Sequence, residues 1–143
     1  MTIENPSELD HCAITLVGQE DDCNLAAAAD TEKKLTPAVP TGKDLIVDHV
    51  VMDEFSADEH ATPPIVTFGK YGGSCDEFLG DQTISCITAD YANEAVIFRP
   101  VPAATPVHSC VLHAGEFFAM EITQANGAAL TARVSVFGHY KNT

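Results

Sequence analysis

EFFAMEITQANGAALTARVSVFGHYK, residues 116–141, is the stretch on which the fold turns. In its first half Phe118, Met120 and Ile122 alternate with Phe117, Ala119, Glu121 and Thr123. In its second half Leu130, Ala132, Val134 and Val136 alternate with Thr131, Arg133, Ser135 and Phe137. A period of two places one set of side chains on each face of a sheet, so both halves read as strands. Between them stands Asn126-Gly127, the pair that best accepts positive φ in a tight turn. The stretch therefore predicts a β-hairpin at the centre of an antiparallel sheet, whose apolar face the rest of the chain must cover.

Working outward, 107–112 reads as a strand that His113-Ala114-Gly115 turns into the hairpin, and Pro100, Pro102 and Pro106 mark an extended crossing before it. Residues 94–99 and 83–88 are further short strands, and 76–81 is an acidic loop with a helical turn. Residues 65–68 form a brief strand closed by the glycine-rich 69–73, and a polar loop over 53–64 precedes it. Residues 45–52 are strongly β-branched, but their alternation is imperfect, which predicts a strand covered on both faces. The alanines of 25–34 predict a helical turn or two, broken by Pro37, Pro40 and Gly42. Residues 12–17 make a strand ending at Gly18, and the polar residues 1–11 form an N-terminal arm. About eight short strands with frequent Gly and Pro, and no long amphipathic helix, point to an all-β fold. The expected architecture is an antiparallel sandwich or jelly roll, with one domain over 12–143 behind the arm.

A chain of 143 residues is long enough to bury its own core without staples. Seven Lys and Arg against 21 Asp and Glu leave a net charge of −14. Phosphates need clustered cations, so neither nucleic acid nor an anionic membrane is an expected partner. The N-terminus lacks a basic stretch followed by an apolar run, so no signal peptide is expected, and no apolar run approaches a membrane span. Cys12, Cys23, Cys75, Cys86 and Cys110 are odd in number and widely spaced. They read as free thiols of a protein made in a reducing cytoplasm, packed as small hydrophobes.

Chemistry is faintly signalled. His108 and His113 are five apart, which on a strand turns their rings to opposite faces; a metal would require His49, His60 and His139 to converge in space. The acidic pairs and runs at 20–22, 53–54, 58–59 and 76–77 do not follow the calcium-loop pattern, and adjacent acids usually diverge into solvent. There is no Gly-x-Ser-x-Gly elbow, no phosphate loop and no Cys-His signature. No catalytic residue, metal or cofactor is expected, and a β domain of this kind suits binding or assembly.

Three features together resemble a group of small jelly-roll virion proteins of tailed bacteriophages. They are the β-branched Leu45-Ile46-Val47-Asp48-His49-Val50-Val51, a strand ending in Phe68-Gly69, and the closing Val134-Ser135-Val136-Phe137-Gly138-His139-Tyr140. The resemblance covers about residues 42–141 and rests on structural motifs. It implies a capsid decoration (cement) protein or a head- or tail-fibre module, generally a homotrimer, on the capsid exterior and bound to major capsid protein or other virion proteins. The expected interface draws on Phe137, His139, Tyr140 and Arg133 of the last strand, Ile3 of the arm, and Asp21 and Glu54 in acidic loops. Phe137 is either an outward aromatic anchor or a core residue on a strand that changes faces near Gly138. Two alternatives stand beside this reading. One is a glycan- or receptor-binding fibre tip using Tyr71, Phe78 and Tyr91; the other is a small cupin-like metal enzyme.

Overall fold

The computed structural model describes residues 13–57, 60–84, 95–100 and 110–143. The arm 1–11 with Ile3, as well as Cys12, Cys86, His108, Tyr91, Pro102, Pro106 and the acids Asp58-Glu59, lie outside the described residues. The described residues form nine strands: β1 (Thr15–Asn24), β2 (Thr31–Lys34), β3 (Lys43–Asp53), β4 (Ile65–Lys70), β5 (Leu79–Thr83), β6 (Val96–Phe98), β7 (Cys110–Leu112), β8 (Phe118–Gln124) and β9 (Thr131–Asn142). No helix occurs among the described residues.

One sheet runs β1-β9-β3-β6, with β7 also paired to β3, and the other runs β2-β8-β4-β5. All pairings are antiparallel. β6 and β7 lie on the same edge of β3, opposite residues 50–52 and 45–47 respectively. Together they fill one strand position beside β3, so the two sheets carry four strand positions each in jelly-roll order. The inner faces meet in one core: Leu45, Val47, Val50, Met52, Val134 and Val136 from the first sheet, and Val66, Phe68, Met120 and Ile122 from the second. Phe68 ties the layers together, with ring centroids 5.1 Å from Phe98 and 6.2 Å from Phe118.

The alternation in residues 116–141 is real, but the hairpin is not. β8 is the centre of one sheet, between β2 and β4, and β9 the centre of the other, between β1 and β3. Neither Asn126 nor Gly127 takes positive φ. Their N–H groups donate instead to other loops, Asn126 to the Leu25 carbonyl at 2.9 Å and Gly127 to that of Thr62 at 2.9 Å. Each arm has one apolar face, and laying the arms in opposite layers lets those faces bury each other; side by side they would both need outside cover.

Three local expectations also change. β1 continues past Gly18 through the acids to Asn24, where an exposed, charged edge strand discourages pairing with other chains. Residues 25–34 form no helix: Leu25 is buried and donates its N–H to Leu130, and Thr31–Lys34 pair with β8. Four alanines are too short a run to nucleate a helix against such pairing. The acidic stretch after Asp76 gives way to strand β5 from Leu79, paired to β4.

The imperfect alternation of β3 has a specific cause. Val47 faces Gly138 and His49 faces Phe137, so Asp48 is an extra residue, a β-bulge. The bulge resets the phase, and Leu45, Val47, Val50 and Met52 all point inward despite the three-residue step between Val47 and Val50. At the bulge the strands approach closely, and a Cβ on Gly138 would be driven into the Ile46 carbonyl oxygen. Gly138→Ala should therefore cost about 1–3 kcal/mol, as overpacking does. Gly80→Ala, where a Cβ meets nothing, should stay within about 0.5 kcal/mol. Urea midpoints of the two variants against wild type check the pair.

Candidate functional site

The outward face of the β1-β9-β3-β6/β7 sheet gathers most of the residues expected at an interface. Cross-strand partners share a face, so the register reads directly as rows. One row is Leu16, Phe137 and His49; the next is Gln19, Ser135, Val51 and Ile97. His139 lies beside Ile46, and Ile46 beside Val111. Phe137 thus faces outward, and the strand does not change faces at Gly138. Its ring stacks on His49 with centroids 4.8 Å apart and planes 4° from parallel. The stack stands on the bulge, where Asp48 Oδ2 lies 2.7 Å from His49 Nδ1 and 3.3 Å from Arg99 Nη1.

Apolar side chains stand exposed along both edges of this face. Ile97 is 54% and Leu16 50% exposed, with Ile14 48% exposed just before β1. The densest cluster of charge lies at one end. Arg133 forks onto Asp53, Nε donating to Oδ1 at 2.9 Å and Nη2 to Oδ2 at 2.8 Å, while Nη1 reaches Glu54 Oε1 at 3.2 Å. The hydrogen bond to Asp53 holds the Arg133 pKa above its ordinary value, with Asp53, Glu54 and Asp21 adding to it. Arg133, Asp21 and Glu54 are therefore one cluster. Asp21 belongs to an irregular stretch of β1, not to a loop, and Glu54 follows β3 with a φ of 52°.

Tyr140 is turned the other way, packed against the core, and burial raises its phenol pKa. His139 Nδ1 is buried without a hydrogen-bond partner among the described residues. Of the aromatics offered as a glycan platform, Phe78 is a core residue, edge-on to Phe68 and Phe118. Tyr71 is exposed, but Lys34 Nζ sits 4.7 Å from its ring centroid and Phe117 packs edge-on beside it. The three histidines do not converge: His60 lies over Gly127, away from His49 and His139 on the outward face. Among the described residues one group of potential metal donors is compact, and it has no histidine: Glu32, Cys75 and Glu121 on the outward face of the other sheet. Their sequence separation hid them, since no local spacing links 32, 75 and 121.

No protein-family model and no curated protein matches the sequence. Solved structures do. One chain of the structure described as "Cyanophage Pam1 capsid asymmetric unit" superposes with a TM-score of 0.53 at 17% identity, over 96% of this chain and 98% of that one. A chain of "Acidic stable capsid structure of Helicobacter pylori bacteriophage KHP30" does so with a TM-score of 0.50 at 12% identity, over 92% and 98%. This protein shares its fold with chains of phage capsids. At such identities the likeness is one of fold, spread over nearly the whole of each chain.

One described thiol is inert by environment. Cys23, buried opposite Ala132, has its pKa pushed by burial from 9.0 to about 11. The raised value means the folded state favours the protonated thiol. That contribution is complete below 9.0 and is lost as pH rises through about 11. Cys23 should resist iodoacetamide at neutral pH until denaturant is added, and Cys23→Ala should flatten the alkaline limb of the stability profile. Peptide mapping and urea melts across pH check both.

Proposed function

We propose that the chain is a structural virion protein: a capsid decoration protein that self-associates, as a homotrimer, and bridges neighbouring capsid subunits from the outside. The observation that carries this reading is the outward row Leu16–Phe137–His49, an aromatic anchor on a rigid central strand within an apolar sheet face, in a fold shared with phage capsid chains. Such a protein performs no chemistry. It adds buried contact area across a joint that internal pressure would open, and a stable joint needs on the order of 1,200 Å² or more. Phe137 supplies the kind of pre-oriented aromatic that dominates binding energy, because His49 already fixes its ring. Ile97, Val51 and Ile46 add apolar area beside it, and the Arg133–Asp53–Glu54 cluster gives the face a polar end.

The net charge of −14 supports an outer position, since it repels packaged nucleic acid. The arm 1–11, with Ile3 as its apolar residue, and the acidic corner of Asp21 and Glu54 are assigned to the capsid surface. This division separates two contacts, self-association through the sheet face and attachment through the arm and corner.

Phe137→Ser should cost the isolated fold only about 1 kcal/mol, the worth of an aromatic pair, yet break the assembly into monomers. Sedimentation equilibrium and urea melts measure the two effects; a wild-type chain that stays monomeric at high concentration would overturn the trimer. Deleting residues 1–11 should leave the oligomer intact and lower occupancy on capsids in co-sedimentation. Unchanged occupancy would remove the arm from the capsid contact.

A further inference from the structure

On the outward face of the β2-β8-β4-β5 sheet, two glutamates stand directly opposite each other: Glu32 of β2 and Glu121 of β8. Like charges in that position repel, and both residues are only half-exposed. The turn after β4 folds back over them. Gly69 permits this, because a Cβ there would collide with the backbone of Cys75 and Asp76. The turn is held down by Gly72 N–H on Glu32 Oε1 at 3.1 Å and Lys70 N–H on Glu77 Oε2 at 2.9 Å. It delivers Cys75, fully buried and at a φ of 56°, onto the carboxylate pair. One donor atom from each of Glu32, Cys75 and Glu121 lies within 4.8 Å of the others.

A second observation comes from the neighbouring strand. Thr67 of β4 is the cross-strand partner of Glu121 and faces the same side. It is 5% exposed, and its hydroxyl is buried with no hydrogen-bond partner among the described residues. A buried hydroxyl without a partner costs free energy unless something fills the place beside it. Among the described residues no cationic side chain pairs with the two facing carboxylates and the thiol, and an unpaired hydroxyl stands on the same side of the sheet. The nearby lysine, Lys34, is directed to the rings of Tyr71 and Phe117.

We infer that Glu32, Cys75 and Glu121, with Thr67 beside them, form a binding site for one divalent cation of the zinc class. The sulfur selects against calcium and magnesium, which take oxygen donors, and favours a borderline ion. Tetrahedral ligands on one zinc ion stand about 3.3–3.5 Å apart at bond lengths near 2.0–2.3 Å, so a closure of the Cys75 turn completes the set. On binding, the Cys75 thiol gives its proton to solvent as the Sγ–metal bond forms, and both carboxylates keep their charge. The ion then ties the edge strand β2, the central strand β8 and the β4–β5 turn together. The site lies on the sheet face opposite the Phe137 row and does not depend on how the chain assembles.

The test is a Zn²⁺ titration of the reduced, metal-stripped full-length chain against a chromophoric chelator, with Co²⁺ as the spectroscopic probe. One ion per chain, a thiolate-to-cobalt charge-transfer band and a raised melting temperature are expected. Cys75→Ser should abolish the band, while Cys23→Ser should keep it. Glu121→Gln and Glu32→Gln should each weaken Zn²⁺ by roughly tenfold or more, since even outer-shell changes cost that much. Glu32 sits on an edge strand, so its variant keeps the test valid should Cys75→Ser not fold. No Zn²⁺ binding, a cobalt band that survives Cys75→Ser, or affinity unchanged in both glutamine variants would overturn the site.

Discussion

The pairing of β3 with β9 is the constraint on which the rest of this structure depends. It runs from Lys43 opposite Asn142 to Asp53 opposite Arg133, the length of the molecule's two longest strands after their ends are matched. One extra residue, Asp48, breaks the register in the middle, and the chain can tolerate it because Gly138 leaves room for the Ile46 carbonyl. The bulge keeps Leu45, Val47, Val50 and Met52 on the core side. It also turns His49 outward onto Phe137, so one irregularity serves the core and the surface at once.

The same irregularity is matched on the far edge of β3. There β6 pairs up to Val50 and β7 from Val47, and Asp48 and His49 have no partner on that side among the described residues. Asp48 uses its carboxylate instead, holding His49 and Arg99. The outward face is thus pinned at its centre by side-chain contacts and charged at its end, where Arg133 binds Asp53 and Glu54. A jelly roll presents two such faces. Here they differ in character: one apolar with an aromatic row, the other crossed by carboxylates and capped by the Cys75 turn.

Local pattern alone carried the strand content and the identity of the inward residues. Phe118, Met120 and Ile122, and Leu130, Ala132, Val134 and Val136, are all buried, as their alternation announces. The β-branched run of β3 and the Phe68-Gly69 strand end were equally legible, as was the outward parity of Arg133 and Ser135. Alternation is a property of one strand, enforced by backbone geometry, so a sequence states it wherever one face is buried.

What lay beyond the sequence was every fact that depends on which strands meet. Asn126-Gly127 reads as a hairpin because that pair suits one, but the decision belonged to Leu25 and Thr62, whose carbonyls take its N–H groups from afar. Phe137 was undecided between core and surface until the bulge at Asp48 fixed the phase of its partner. Tyr140 and Phe78 went to the core, and Glu32, Cys75, Glu121 and Thr67 met only when two sheet neighbours and a turn closed over one another. Sequence sets the periodicity of each segment. The free energy of burying whole faces against each other, summed over residues far apart in the chain, selects their neighbours.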